Sequence, residues 1–178
     1  VSEEFRKAAA EPGTLAPAAI DEQIRAILGD SMRHHMVSDV PVGIFLSSGV
    51  DSSVLAALGA GLDREKLQAI TLGFREYRGT PDDETVLAGK HAGQLGIRHT
   101  TQWIERGDFR GEWQGFFAGM DQASTDGVNS HLVSRAAAAC GLKVAISGLG
   151  GDELFGGYPS FRDVPRIRRR MPRAPGAG

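Results

Sequence analysis

Two short stretches of the sequence carry side chains able to handle an anion and a metal ion together. The first is Ser47-Ser48-Gly49-Val50-Asp51-Ser52-Ser53, preceded by Leu46. Serines and a glycine in a tight turn can aim successive N–H groups, hydroxyls and a helix N-terminus at one anion. The stretch lacks the lysine of a Gly-Lys-Ser/Thr phosphate loop. Asp51 adds negative charge where the anion would sit. That makes sense with Mg²⁺ between them, since magnesium prefers carboxylate plus phosphate oxygens. Without such a ligand, the same residues make an ordinary Ser/Asp helix cap.

The second stretch is Ser147-Gly148-Leu149-Gly150-Gly151-Asp152-Glu153-Leu154-Phe155-Gly156-Gly157-Tyr158. Five glycines in twelve residues permit close approach of backbone to a ligand. Asp152 is a candidate second carboxylate on the metal that Asp51 holds, with Glu153 beside it. The plainer reading is a glycine loop whose acids cap a helix.

Both stretches need strands behind them. Val40–Leu46 is a short apolar run ending in small residues, as a buried parallel strand would be. Leu67–Phe74, Arg98–Ile104 and Lys143–Ser147 are three further strand candidates. The patterns predict a helix over 17–36 ahead of the strands and helices over 51–61, 82–95, 108–120 and 128–140 between them. Pro17 suits a first turn, with Ile20, Ile24, Ile27 and Leu28 on one face. Val54, Leu55 and Leu58 form the apolar face of the next helix, and Gly96 stands just past the end of the third. Strands alternating with such helices predict an α/β fold, a parallel sheet of five strands or fewer covered on both faces. Ligands of such sheets bind beyond the carboxyl ends of the strands, where both chemical stretches fall.

Composition narrows the function. The 178 residues suit about one domain. Hydrophobic residues at 41% and charged residues at 24% are enough for a packed core. A net charge of −2 argues against a generally basic nucleic-acid binder. The basic cluster Arg162, Arg166, Arg168, Arg169, Arg170 and Arg173 reads as a helix face that meets other protein. The single cysteine, Cys140, excludes an internal disulfide and a cysteine-based zinc site. It fits a reducing compartment and an expected cytoplasmic location. No apolar run is long enough for a membrane span, and residues 1–20 have no signal-peptide apolar core. His34 and His35 suit a helix C-terminus. His91, His99 and His131 share no metal-like spacing, and Trp103 and Trp113 suit packing.

The first stretch resembles the S-G-G-x-D-S loop of the PP-loop ATP pyrophosphatases, with Ser48 at the second position. The second resembles the S-G-x-G-x-D-E-L-F-G-G-Y motif of the glutamine-dependent asparagine synthetases. Asp121-Gln122 and Leu132-Val133-Ser134-Arg135 fit the same pattern. The likeness covers about residues 17–161. Residues 1–16 are then a lead-in, 17–161 an incomplete ATP-pyrophosphatase (synthetase) domain, and 162–178 a basic C-terminal segment.

The resemblance implies an adenine-nucleotide alpha-hydrolase-like fold and ATP with Mg²⁺ as cofactors. It implies adenylation of a carboxylate, aspartate in the family, with loss of pyrophosphate. Ammonia from a glutaminase domain outside these residues would then give the amide and AMP. It assigns Ser47, Ser48, Gly49, Ser52 and Ser53 to the pyrophosphate and Asp51 and Asp152 to Mg²⁺. Leu46, Leu72, Gly73, Ser147 and Gly148 fall to adenine and ribose. Asp51, Asp152 and Glu153 form the expected catalytic group. In this family an acid near Glu84 also lies close to the site.

Leu149 departs from the family's usual glutamate, and leucine cannot move a proton. A different acceptor, as in β-lactam-forming or polymer-amidating relatives, therefore stays open. So does a non-catalytic nucleotide-binding module. The expected setting is a segment of a longer amidotransferase, without nucleic acid or membrane and with the oligomeric state open.

Overall fold

The computed structural model describes residues 16–122 and 127–170. In chain order the elements are α1 (Pro17–His35), β1 (Val42–Phe45), α2 (Val50–Asp63), β2 (Leu67–Phe74), a 3₁₀ turn (Arg75–Tyr77) and α3 (Glu84–Leu95). They continue as β3 (Arg98–Ile104), α4 (Arg106–Gly111), α5 (Trp113–Gly119), α6 (Gly127–Ala139), β4 (Val144–Ile146), α7 (Gly151–Phe155) and α8 (Pro159–Arg170). The four strands are all parallel, in the order β3-β2-β1-β4.

Alternation along the strands builds two cores. Val42, Ile44 and Leu46 join Leu67 and Ala69 under α1, α2 and α3. The helices meet this face with Met32, Met36, Ala56, Ala60, Ala88 and Ala92. On the other face Ile70 and Leu142 pack with Ala136 and Ala137 of α6, against part-buried Phe45 and Leu72. Cys140 packs part-buried on this second core.

The helix faces differ from the pattern reading. Ile20 and Ile27 are exposed, and α1 buries Met32 instead. In α2 the buried positions are Ser52, Ala56, Gly59 and Ala60, while Val54 is exposed. Small side chains let a helix lie close on the sheet, so hydrophobicity alone misplaces the contact stripe. The single helix expected over 108–120 is two, α4 and α5, meeting at Glu112. Glycines at 107, 111, 115 and 119 weaken helix formation through this segment.

Other signals match the structure directly. Pro17 occupies the first turn of α1, and His34 and His35 its last. Gly96 ends α3 at φ 67°, as expected, while the helix expected from residue 82 starts at Glu84, because Asp83 caps it by accepting from the Thr85 amide. The Thr85 hydroxyl and the Gly79 N–H hold the Asp83 carboxyl below its usual range. A depressed folded-state pKa stabilises the fold above the unfolded value, and that stability fades as pH falls through the lowered one. Asp83→Ala should therefore lower the melting temperature at neutral pH, and the deficit should shrink in acid. A deficit that does not change with pH would refute a charged cap.

Candidate functional site

The strand order reverses beside β1. From β1 the chain steps outward through β2 to β3, then returns across the sheet to set β4 on the free side of β1. At such a switch point the loops after β1 and β4 diverge and leave a crevice at the strand ends. Gly43 makes the pairing of β1 with β4 possible: a Cβ there would stand 2.9 Å from Leu142 Cδ1 and 3.2 Å from the Val144 carbonyl.

The two loops are shaped by one device. Ser47 Oγ accepts from the Gly49 N–H at 3.1 Å, and Ser147 Oγ accepts from the Leu149 N–H at 3.2 Å. Each serine thus turns the chain just past its strand, Ser47 two residues after β1 and Ser147 one residue after β4. In the first loop Ser52 is the hub. It is 7% exposed, accepts from the Ser47 N–H at 3.1 Å and donates to the Gly49 carbonyl at 3.1 Å. Its hydroxyl also meets Ser47 Oγ at 2.9 Å. Ser53 Oγ donates to the same carbonyl at 2.8 Å and meets His91 Nδ1 at 3.1 Å. Gly49 ends the loop in extended conformation at the head of α2, and no side chain caps that helix. Its first N–H groups lack intrahelical partners and face the crevice end of the sheet.

The second loop packs against the first through glycine. A Cβ on Gly148 would lie 3.3 Å from both Asp51 Cβ and the Ser52 amide nitrogen. One on Gly151 would lie 2.5 Å from Asp51 Oδ2. The Asp152 carboxylate folds back against Gly157, and the Gly157 N–H donates to the Asp152 carbonyl at 2.9 Å. Glu153 Oε1 accepts from the Tyr158 hydroxyl at 3.0 Å.

The crevice encloses about 610 Å³, within the range of small-molecule sites. It gathers Leu46, Ser47, Gly49, Asp51, Ser52, Leu72, Ser147, Gly148, Asp152 and Glu153 from the expected set, with Glu84 on its rim. Ser48, Ser53 and Gly73 lie outside its lining. Ser53 braces the loop from behind, and Gly73 faces a neighbouring pocket with Asp82 and Asp83. The structure adds an apolar wall of Phe45, Ile70 and Val133 and a polar wall of Asn129, Ser130 and Ser134 from α6. The apolar wall follows from strand period, since Phe45 and Ile70 point away from the three-helix face. Nothing in local pattern marks Asn129 or Ser130.

No lysine, arginine or histidine lines the crevice among the described residues, while four carboxylates do. Nor do the described residues include three His, Cys, Asp or Glu side chains grouped for a metal. The donor set suits Mg²⁺, which uses one or two carboxylates and completes its shell with substrate phosphates and water. Among the described residues no helix is long and apolar enough to cross a membrane.

Comparison with known proteins places the chain. The asparagine synthase family profile matches residues 23–177. The chain belongs to the asparagine synthase family. Asparagine synthetase (glutamine-hydrolysing) 1 of Bacillus subtilis is 33% identical over 144 residues, 80% of this chain and 22% of that protein. Asparagine synthetase B of Escherichia coli is 30% identical over 161 residues, 82% of this chain and 28% of that one. The chain thus spans between a fifth and a third of the length of these relatives. Among solved structures, the glutamine-dependent NAD⁺ synthetase of Acinetobacter baumannii in complex with ADP superposes with a TM-score of 0.51. That match is 19% identical and covers 75% of this chain and 27% of that one. The asparagine synthase family chain therefore has the PP-loop, adenine-nucleotide alpha-hydrolase-like fold, with four parallel strands between helices.

Proposed function

We propose that this chain is the nucleotide-binding core of an ATP-dependent amide-forming ligase. One observation carries the reading: Asp51, Asp152 and the uncapped head of α2 meet in one crevice at the β1/β4 switch point. Phe45, Ile70, Leu72 and Val133 offer an apolar wall to the adenine. The serine-shaped loop and the first turn of α2 take the pyrophosphate part. With no cationic side chain in the described lining, nucleotide phosphates beside four carboxylates need a divalent cation. Asp51 and Asp152 would hold it, and it would neutralise charge on the leaving group.

The reaction is that of the family. A carboxylate oxygen of the acceptor attacks the α-phosphorus and the bond to pyrophosphate breaks. Ammonia then attacks the acyl carbon, AMP leaves, and the nitrogen gives up a proton. Aspartate is the family's acceptor. Here Leu149 stands 75% exposed at the mouth and can take no proton. It favours a second reading, a related ligase with another carboxylate acceptor, such as a β-lactam-forming or polymer-amidating enzyme.

The decisive experiment is calorimetric titration of the chain with ATP, with and without Mg²⁺. The expected result is binding that requires magnesium and is lost in Asp152→Ala. Absence of binding by a chain with a cooperative unfolding transition would overturn the ligase core and leave a non-catalytic module.

A further inference from the structure

Thr71 is a buried hydroxyl to which the chemistry above assigns no role. It sits on β2, 2% exposed, and Oγ1 donates to the Leu46 carbonyl at 2.7 Å. On its other side stands His99 Nε2 of β3, at 2.8 Å. A hydroxyl has one proton to give. That proton goes to the carbonyl, so Oγ1 accepts from His99 and Nε2 carries a hydrogen. Burial lowers the pKa of the ring and favours its neutral form. The tautomer is then Nε2–H, with Nδ1 bare on the side of Gly89.

Leu46 is the residue from which the nucleotide loop leaves the sheet. The β1/β2 register ends at Phe45 opposite Ile70. The Leu46 N–H still reaches the Ile70 carbonyl at 2.9 Å, and the Thr71 hydroxyl takes the Leu46 carbonyl. That carbonyl and the Ser47 N–H belong to one planar peptide unit. Tilting one tilts the other. The Ser47 N–H donates to the hub, Ser52 Oγ, which donates onward to the Gly49 carbonyl at the head of α2. A single chain of hydrogen bonds thus runs from β3, two strands away, into the loop.

We propose that His99 is a positioning residue which, through Thr71, sets the tilt of the Leu46–Ser47 peptide and so the shape of the Ser47–Ser53 loop. The part concerning nucleotide affinity rests on the ATP reading; the geometric part does not. The histidine tautomer in the wild-type chain is the first test. Two-bond ¹H–¹⁵N correlation should show Nε2–H at His99, and an Nδ1–H tautomer would overturn the proposal.

The second test compares His99→Leu with His99→Gln, whose carboxamide restores an N–H donor. In the nucleotide-free chain, His99→Leu should move the amide resonances of Ser47, Gly49 and Ser52, and His99→Gln should bring them back toward wild type. Shifts confined to Thr71 and Gly89, or equal effects of the two variants, would overturn it. If His99→Leu fails to fold, His99→Gln and the tautomer still decide. With Mg²⁺ and ATP, His99→Leu should bind about tenfold more weakly, the scale of one lost hydrogen bond. Wild type that binds no ATP while the loop resonances respond as described would remove the ATP reading and leave the positioning role standing.

Discussion

Asp51→Ala should weaken magnesium-dependent ATP binding by at least about a hundredfold, or roughly 2.7 kcal/mol. The carboxylate leans on Gly151 and lines the crevice with Asp152. Magnesium held through one or two carboxylates loses much of its protein shell when one is removed. The sign without magnesium separates this from a general loss of structure. With no cation present, Asp51 only repels the phosphates, so Asp51→Ala should then bind ATP as well as wild type or better. Asp51 also lies in the first turn of α2, where a negative charge contributes about 0.3–1 kcal/mol through the helix dipole. A modest fall in stability is therefore expected as well. Equal losses of ATP affinity with and without magnesium would sink the metal assignment.

Gly43→Val should destabilise the chain by about 2 kcal/mol, within the usual range for overpacking. A Cβ at this position would press on Leu142 Cδ1 at 2.9 Å, the Val144 carbonyl at 3.2 Å and Ala145 Cβ at 3.3 Å. Two of these three atoms belong to side chains of the second core, and the third is strand backbone that cannot rotate away. Valine's preference for strands would offset part of the cost. For a chain of this size the melting temperature should fall by roughly 4–8 °C. The effect should reach the site, because pushing β4 from β1 separates the loop that carries Asp152 from the one that carries Asp51. Urea midpoints of Gly43→Ala and Gly43→Val provide the measurement. An unchanged midpoint for valine would mean that β4 does not pack on β1 as described.

Local signals were strong where chain chemistry is local. Gly96 ends α3 as expected because a left-handed terminus depends on residues within a few positions, and the start moves only from 82 to Glu84, where Asp83 caps the helix. The strands were legible as apolar runs between turn-forming residues, and β2 and β3 were expected with the bounds they have. Burial was less legible. In α1, Ile20 and Ile27 have the right spacing but are exposed, while Met32 and, just past the helix end, Met36 enter the core. Which turns of an amphipathic helix are covered depends on where its neighbours end. The break between α4 and α5 is hidden from periodicity for a related reason. Glu112 is drawn at that point toward Arg135 and His131 of α6, contacts that periodicity cannot see.

The sequence by itself determined the chemistry available here: the two serine-led loops, the acids Asp51, Asp152 and Glu153, and strands to end beneath them. Those are matters of residue type and short spacing. Only the tertiary structure decided that the loops meet. Asp51 and Asp152 are 101 residues apart, and their meeting depends on β4 returning to the free edge of β1, where Gly43 leaves room. Tertiary packing also sorted the serines. Ser52 turned inward as the hub, Ser53 braced the loop toward His91, and the crevice wall was completed by Asn129 and Ser130 of α6. The physical reason is common to all of these. A side chain's type follows from sequence, but what it faces is set by non-local strand order and by the close approach of backbones that small residues permit.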